Sequence, residues 1–125
     1  MATIWNDNAP IYRQLKEQVV AMILDGRLQA GDVLPSVRQI AADFQLNPIT
    51  VSRAYQELVD EKVVETKRGL GMFVLEDGKE KLLASERQRF LLDEWPSTLL
   101  RIERLGLDLE QLVQIKKKQD NQEVT

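Results

Sequence analysis

The first half of the chain contains three stretches in which apolar side chains recur every three or four residues. That spacing is typical of amphipathic helices. In the first stretch the apolar positions are Ile11, Leu15, Val19, and Met22 or Ile23. Pro10 suits the first turn, where no N–H is needed, and Gly26 suits the end. We therefore predict a first helix between Pro10 and Gly26, capped by Asp7 or Asn8.

Two shorter helices are predicted next, and each has a recognisable start. Ser36 is a candidate N-cap for a helix with apolar residues at Val37, Ile40, Ala41 and Phe44. Asn47 is expected to cap the following helix, and Pro48 to occupy its first position. The buried face of that helix is predicted at Val51, Ala54, Tyr55 and Leu58. Two short helices joined by a tight turn indicate a helix-turn-helix.

A β-hairpin is predicted directly after these helices. The apolar and β-branched residues of 63–67 and 72–75 favour two strands, and the glycine-rich segment 68–71 favours a turn between them. A hairpin in this position forms a wing. The chain is therefore predicted to be mainly α, in an α+β arrangement, with a winged helix-turn-helix in a domain of residues 1–77.

The pattern becomes helical again from Lys79, but its apolar positions are too spread for one narrow stripe. Pro96 is expected to kink or split this stretch, and a last helix is expected to begin at Asp108. The surplus of apolar surface in residues 78–125 favours a two-helix dimerisation region. The predicted interface residues are Leu83, Phe90, Leu91, Trp95, Leu99 and Leu105.

Composition makes several other classes of function less probable. The 125 residues include no cysteine and no histidine, so the usual zinc sites and the commonest general base are absent. We therefore expect no metal, no cofactor and no enzymatic activity. The sequence has no apolar run of about 18 residues that would span a membrane. It also begins without the pattern of a signal peptide, and the lack of cysteine fits a reducing cytoplasm.

The net charge of −3 argues mildly against a nucleic-acid partner. The first 78 residues carry 8 basic and 11 acidic side chains, and the remainder carries 9 of each. Binding depends on the local field, so the case for DNA depends on where individual basic residues point. The alternative function is a winged-helix module that binds another protein, which the acidic balance supports slightly.

The segment Gly-Asp-Val-Leu-Pro-Ser-Val-Arg-Gln-Ile-Ala at 31–41 resembles the helix-turn-helix signature of the GntR family of bacterial regulators. The resemblance continues through residues 46–58 and ends with the wing at 69–74. The short C-terminal region resembles the YtrA-type branch, which has two helices in place of a full effector-binding domain. The resemblance implies a homodimeric repressor that binds a pseudo-palindromic DNA operator. Whether the regulator also binds a small-molecule effector is left open.

The sequence departs from the family at Gln45, where glycine is common in such motifs. If the turn needs a left-handed conformation there, glutamine costs about 1 kcal/mol or more. We expect the turn to tolerate this residue.

A recognition helix reads base edges near its N-terminal end. The face opposite the predicted buried one carries Asn47, Ile49, Thr50, Ser52, Arg53 and Gln56. From this helix and its start, the predicted DNA contacts are Asn47, Pro48, Thr50, Ser52 and Arg53. From the preceding helix they are Ser36 and Arg38, and from the wing they are Lys67, Arg68, Gly69 and Gly71.

Each group of predicted contacts also has a purely structural interpretation. The polar face is then an ordinary solvated helix surface, with Asn47 serving only as a cap. Arg38 is then a surface arginine paired with Asp32 or Asp43. Gly69 and Gly71 then only satisfy the turn geometry of the hairpin.

Overall fold

Three helices and a two-stranded hairpin form the first part of the computed structural model, which describes residues 5–123 and the side chains of residues 5–121. These elements are α1 (Ile11–Leu24), α2 (Val37–Phe44), α3 (Pro48–Asp60), β1 (Val64–Lys67) and β2 (Gly71–Val74). The later elements are α4 (Gly78–Arg89), a π-helical turn (Phe90–Glu94), α5 (Trp95–Arg104) and α6 (Leu109–Glu123). The predicted winged helix-turn-helix is confirmed.

The chain divides into two compact units, the first ending at Ser85 and the second beginning at Glu86. The core of the first unit joins α1, α3 and the hairpin. Its most deeply buried large side chains are Ile23, Val51, Tyr55, Leu58, Val63, Val64 and Leu82. Burial of each is worth about 1.5–3 kcal/mol. Because Leu82 belongs to this core, the start of α4 contributes to the first unit. The functional boundary after residue 77 stays a prediction.

The start of α1 differs from the sequence-based expectation. Pro10 is the N-cap residue, and no side chain caps the helix. Instead, the Gln14 side-chain amide donates to the carbonyls of Asn6 and Ala9, both at 2.7 Å. These bonds tie the preceding segment to the first turn of α1. The predicted cap by Asp7 or Asn8 is therefore wrong, because Gln14 reaches back and organises this end.

The helix-turn-helix is fixed by two side-chain caps and one left-handed residue. Ser36 Oγ accepts from the Gln39 N–H at 3.0 Å, and Asn47 Oδ1 accepts from the Ile49 N–H at 2.9 Å. Both predicted caps are confirmed. Between the helices, Gln45 adopts φ 54° and ψ 47°. The turn therefore does require the conformation that disfavours a residue with a Cβ.

The wing is held to the segment that leads into α2. The two strands are antiparallel, with Val64 opposite Val74 and Lys67 opposite Gly71. The Leu34 N–H donates to the Met72 carbonyl at 2.8 Å. The wing and the start of α2 are therefore placed by one hydrogen-bonded framework.

The later helices show how the chain accommodates Pro96. The Trp95 N–H donates to the Phe90 carbonyl, which is the i−5 bond of a π-helical turn. Pro96 then lies in the first turn of α5, where its missing N–H is not needed. The predicted interruption at this proline is confirmed, and it takes the form of a π turn. Within the described residues, no helix has both the length and the hydropathy needed to cross a membrane.

Candidate nucleic-acid interface

Tyr55 locks the middle of α3 to the segment before α2. Its side chain is buried, and its hydroxyl donates to the Pro35 carbonyl at 2.7 Å. Burial raises the pKa of Tyr55 to about 12. The phenol therefore stays protonated and remains a donor at neutral pH. This bond fixes the position of α3 relative to the start of α2, which carries Ser36 and Arg38.

The side of α3 that faces away from the core carries the contacts that were predicted from this helix and its cap. Asn47, Pro48, Ser52 and Arg53 are exposed, and Thr50 is half-buried. The cap uses only the oxygen of the Asn47 amide. The opposite face is buried at all four predicted positions, Val51, Ala54, Tyr55 and Leu58. The helix thus presents a mostly polar surface away from the core of its unit.

Arg53 is supported by an aromatic ring on α1. Its guanidinium carbon lies 3.9 Å from the centroid of the half-buried Tyr12 ring. Such a contact at an exposed site is worth about 0.5–1 kcal/mol. The guanidinium carries five N–H donors, and Arg53 forms no ion pair among the described residues. This role of Tyr12 was not predicted from the sequence.

Arg38 is exposed near the start of α2. Among the described residues, no ion pair joins it to Asp32 or Asp43. The Asp32 carboxylate instead accepts from the Gln29 N–H at 2.8 Å. The proposed structural pairing of Arg38 is therefore not formed.

The wing tip gives its predicted residues different roles. Gly69 and Gly71 have φ values of +77° and +116°, and a Cβ on Gly71 would lie 3.3 Å from Val33 Cγ2. Turn geometry therefore accounts for both glycines. Lys67 Nζ lies 4.6 Å from the Phe73 ring centroid and 3.8 Å from Glu65 Oε1. Lys67 therefore contacts other residues of its own hairpin. Arg68 is exposed and forms no ion pair among the described residues.

Acidic charge on α3 is concentrated in the C-terminal half of the helix. Lys16 on α1 bridges Glu57 at 3.4 Å and Glu61 at 2.9 Å, and Asp60 accepts from the Gln56 amide at 2.9 Å. Burial acts to lower the pKa of Lys16, but the two carboxylates outweigh it and raise that pKa. These acids are thus engaged within the unit. By contrast, residues 36–53 carry two arginines and one acid.

Two apolar side chains on this surface were not predicted as contacts. Ile49, at the start of α3, is 76% exposed, and Leu70, at the wing tip, is 70% exposed. The exposure of Ile49 could be inferred from its place opposite the buried face. Leu70 carried a weaker signal, namely its position between two glycines of a tight hairpin.

The later helices carry a second, apolar surface. Of the predicted interface residues, Phe90, Leu91 and Leu105 are exposed, whereas Leu83, Trp95 and Leu99 are half-buried. The Phe90 and Trp95 rings are stacked, with centroids 6.2 Å apart. Among residues 86–121, no side chain is buried. Much of this apolar surface therefore stays open to solvent in the single chain.

Three helices, two of them with side-chain caps, and a hairpin wing define a winged helix-turn-helix, and α2, α3 and the wing each carry an exposed arginine. The model of the gntR family of bacterial regulatory proteins matches residues 11–74. The chain belongs to this GntR family and is a DNA-binding transcriptional regulator. The family match favours DNA binding over the protein-interaction alternative.

Relatives extend the similarity beyond the winged helix. The chain is 35% identical to the HTH-type transcriptional repressor YtrA of Bacillus subtilis over 105 residues. The aligned region covers 84% of this chain and 80% of YtrA. It is 30% identical to the HTH-type transcriptional regulator YhcF of the same organism, over 88% of this chain and 89% of YhcF. A GntR family regulator from Listeria monocytogenes aligns with a TM-score of 0.74 and 31% identity, over 91% of this chain and 98% of that one. The predicted YtrA-like identity is confirmed.

Proposed function

We propose that this regulator is a repressor that binds a pseudo-palindromic operator as a homodimer in the cytoplasm, without enzymatic activity or a cofactor. The observation that carries the proposal is the contact between the Arg53 guanidinium, on the exposed face of α3, and the ring of Tyr12. The similarity to the repressor YtrA over most of both chains supports repression in particular. An operator-bound dimer would act by blocking access of polymerase to the promoter.

In this proposal α3 enters the major groove with its N-terminal end towards the bases. Arg38 and Arg53 contact phosphates or guanine edges, since arginine is the commonest partner of guanine. Arg68 contacts the minor groove or the backbone from the wing. The remaining proposed contacts are Ser36, Asn47, Pro48, Thr50, Ser52, Lys67, Gly69 and Gly71.

Residues 78–125 supply the dimer interface in this proposal. Leu91 and Leu105 are 59% and 62% exposed in the single chain, which supports a covering partner. We expect Leu91→Glu and Leu105→Glu to give monomers in sedimentation experiments, because a buried unpaired carboxylate is unfavourable. Ser97→Glu, at an exposed polar position on α5, is the control. Dimeric Leu91→Glu and Leu105→Glu variants would refute this interface. Whether a small-molecule effector acts on this region stays open.

The DNA-contact proposal is tested on an operator selected from random duplexes by the wild-type protein. Arg38→Ala and Arg53→Ala should each weaken binding by about 1–3 kcal/mol. Lys117→Ala, which removes one positive charge from α6, is the control and should bind as the wild type does. Unchanged affinity in both arginine variants would contradict the assignment.

Salt dependence separates operator binding from the protein-interaction alternative. Phosphate contacts release counterions, so log affinity should fall steeply and linearly with log salt concentration. The winged-helix protein-interaction module predicts no salt-sensitive DNA binding.

A further inference from the structure

Ile49 is the most exposed large apolar side chain among the described residues, at 76%. It follows Pro48 in the first turn of α3, and its N–H donates to the Asn47 side chain at 2.9 Å. A β-branched side chain has one strongly preferred rotamer in a helix. The cap and the helix together therefore hold this apolar group in one direction.

The neighbours of Ile49 on the helix surface are residues of the DNA-facing side. Ser52 and Arg53 follow it by three and four positions, and side chains at these spacings are adjacent on a helix. Both are exposed, and Arg53 is held over Tyr12. An arginine suited to guanine or phosphate thus lies beside an apolar group at the end of the helix that approaches the base edges.

Base edges in the major groove are mostly hydrogen-bond donors and acceptors. The apolar exception is the 5-methyl group of thymine. An isoleucine in the groove gains free energy against that methyl group, whereas it desolvates the polar edges of other bases without replacing their hydrogen bonds. We propose that Ile49 selects thymine at one position of each half-site by packing on the 5-methyl group. The inference rests on the proposed function, in which α3 enters the major groove.

The test removes the methyl group alone. In the operator selected by the wild-type protein, each half-site thymine is replaced in turn by deoxyuridine, which keeps the base pair and its hydrogen-bonding groups. At one thymine the replacement should lower affinity roughly fourfold, as expected for one methyl-sized group. Ile49→Ala should lower affinity for the thymine operator to a similar extent. It should show no further loss on the deoxyuridine duplex, because the two changes remove the same contact.

Two variants serve as controls. Ile49→Val keeps a branched apolar group and should retain most of the methyl dependence. Leu70→Ala removes a comparably exposed apolar side chain from the wing, and it should keep the methyl dependence of the wild type whatever its affinity. Thermal unfolding of Ile49→Ala should match that of the wild type, since the side chain is exposed.

Two results would overturn the inference while leaving operator binding intact. In the first, the affinity of the wild-type protein is unchanged by deoxyuridine at every thymine position. In the second, deoxyuridine lowers the affinity of Ile49→Ala as much as it lowers that of the wild type. In both cases reduced affinity of Arg38→Ala and Arg53→Ala would still support the proposed function. Failure of the wild-type protein to select any operator would overturn both proposals.

Discussion

The guanidinium of Arg53 lies over the ring of Tyr12, 3.9 Å from its centroid, and joins the exposed face of α3 to α1. A free arginine side chain carries about 2 kcal/mol of rotamer entropy, part of which is lost when it binds. An arginine side chain that an aromatic ring already holds in place loses less rotamer entropy on binding. Tyr12 is therefore expected to contribute to DNA affinity without touching DNA.

Replacement of Tyr12 tests this supporting role. Tyr12→Leu should weaken operator binding by about 0.5–1 kcal/mol, the usual strength of an exposed cation–π contact. Arg53→Ala should weaken it more, because it also removes the proposed DNA contact. Tyr12→Phe keeps the ring and should bind as the wild type does. The measurement is fluorescence anisotropy with a labelled operator, and wild-type affinity for Tyr12→Leu would count against the supporting role.

Gln45 is a site of stored strain in the turn between α2 and α3. Its left-handed backbone, with φ 54°, favours glycine. Gln45→Gly should raise the free energy of unfolding by about 1 kcal/mol, measured by urea denaturation. Ala42→Gly, at an exposed position inside α2, should lower it by about 1 kcal/mol. A Gln45→Gly variant no more stable than the wild type would contradict this account of the turn.

Gly78 is required by a close approach between segments. A Cβ at this position would lie 2.4 Å from the Val63 carbonyl oxygen, and backbone cannot give way as a flexible side chain can. Gly78→Ala should destabilise the protein by about 1–3 kcal/mol through overpacking. A Cβ on Gly26 would meet nothing within 4 Å, although its φ is +84°. Gly26→Ala should therefore cost less, and an equal or greater cost would point away from the predicted clash.

Tyr55 makes stability depend on pH in the alkaline range. Its folded-state pKa is raised from 10.0 to about 12, so the folded protein holds the phenolic proton more tightly than the unfolded chain does. The resulting stabilisation is complete below pH 10 and is lost as the pH rises from 10 to 12.

Denaturant unfolding of Tyr55→Phe across this range tests the assignment. The variant should lose about 1 kcal/mol at neutral pH with the hydrogen bond to Pro35. Above pH 10 its stability should fall less steeply than that of the wild type. A residual fall is expected from Lys16, whose pKa is also raised. Parallel pH profiles for the two proteins would be inconsistent with titration of Tyr55.

The helices and the wing were predictable because their signals are local. Ser36 and Asn47 cap helices from within their own turns, and the apolar spacing of α3 identified its buried face. The left-handed turn at Gln45 had been raised only as a condition, because glycine is common at that position of the motif, and the structure shows that the condition holds. The predicted contacts on α3 were found because they lie on the face opposite its apolar, buried face.

The features that were missed depend on tertiary contacts or lack a sequence signal. Tyr12 and Arg53 meet only because α1 packs against α3, and the same packing brings Lys16 to Glu57. Lys62 adopts a left-handed φ of 61°, which its sequence does not indicate because lysine, unlike glycine or asparagine, rarely adopts this conformation. The cap of α1 was misassigned because Gln14 reaches back from inside the helix, whereas capping residues are usually sought before it.

Selection of bound duplexes from a random DNA pool tests the central claim most directly. The 125-residue protein would be used at low and at moderate salt. The account predicts a two-fold-symmetric motif whose half-sites lie about one helical turn, or a multiple of it, apart. Recovery of no motif at either salt concentration would contradict it.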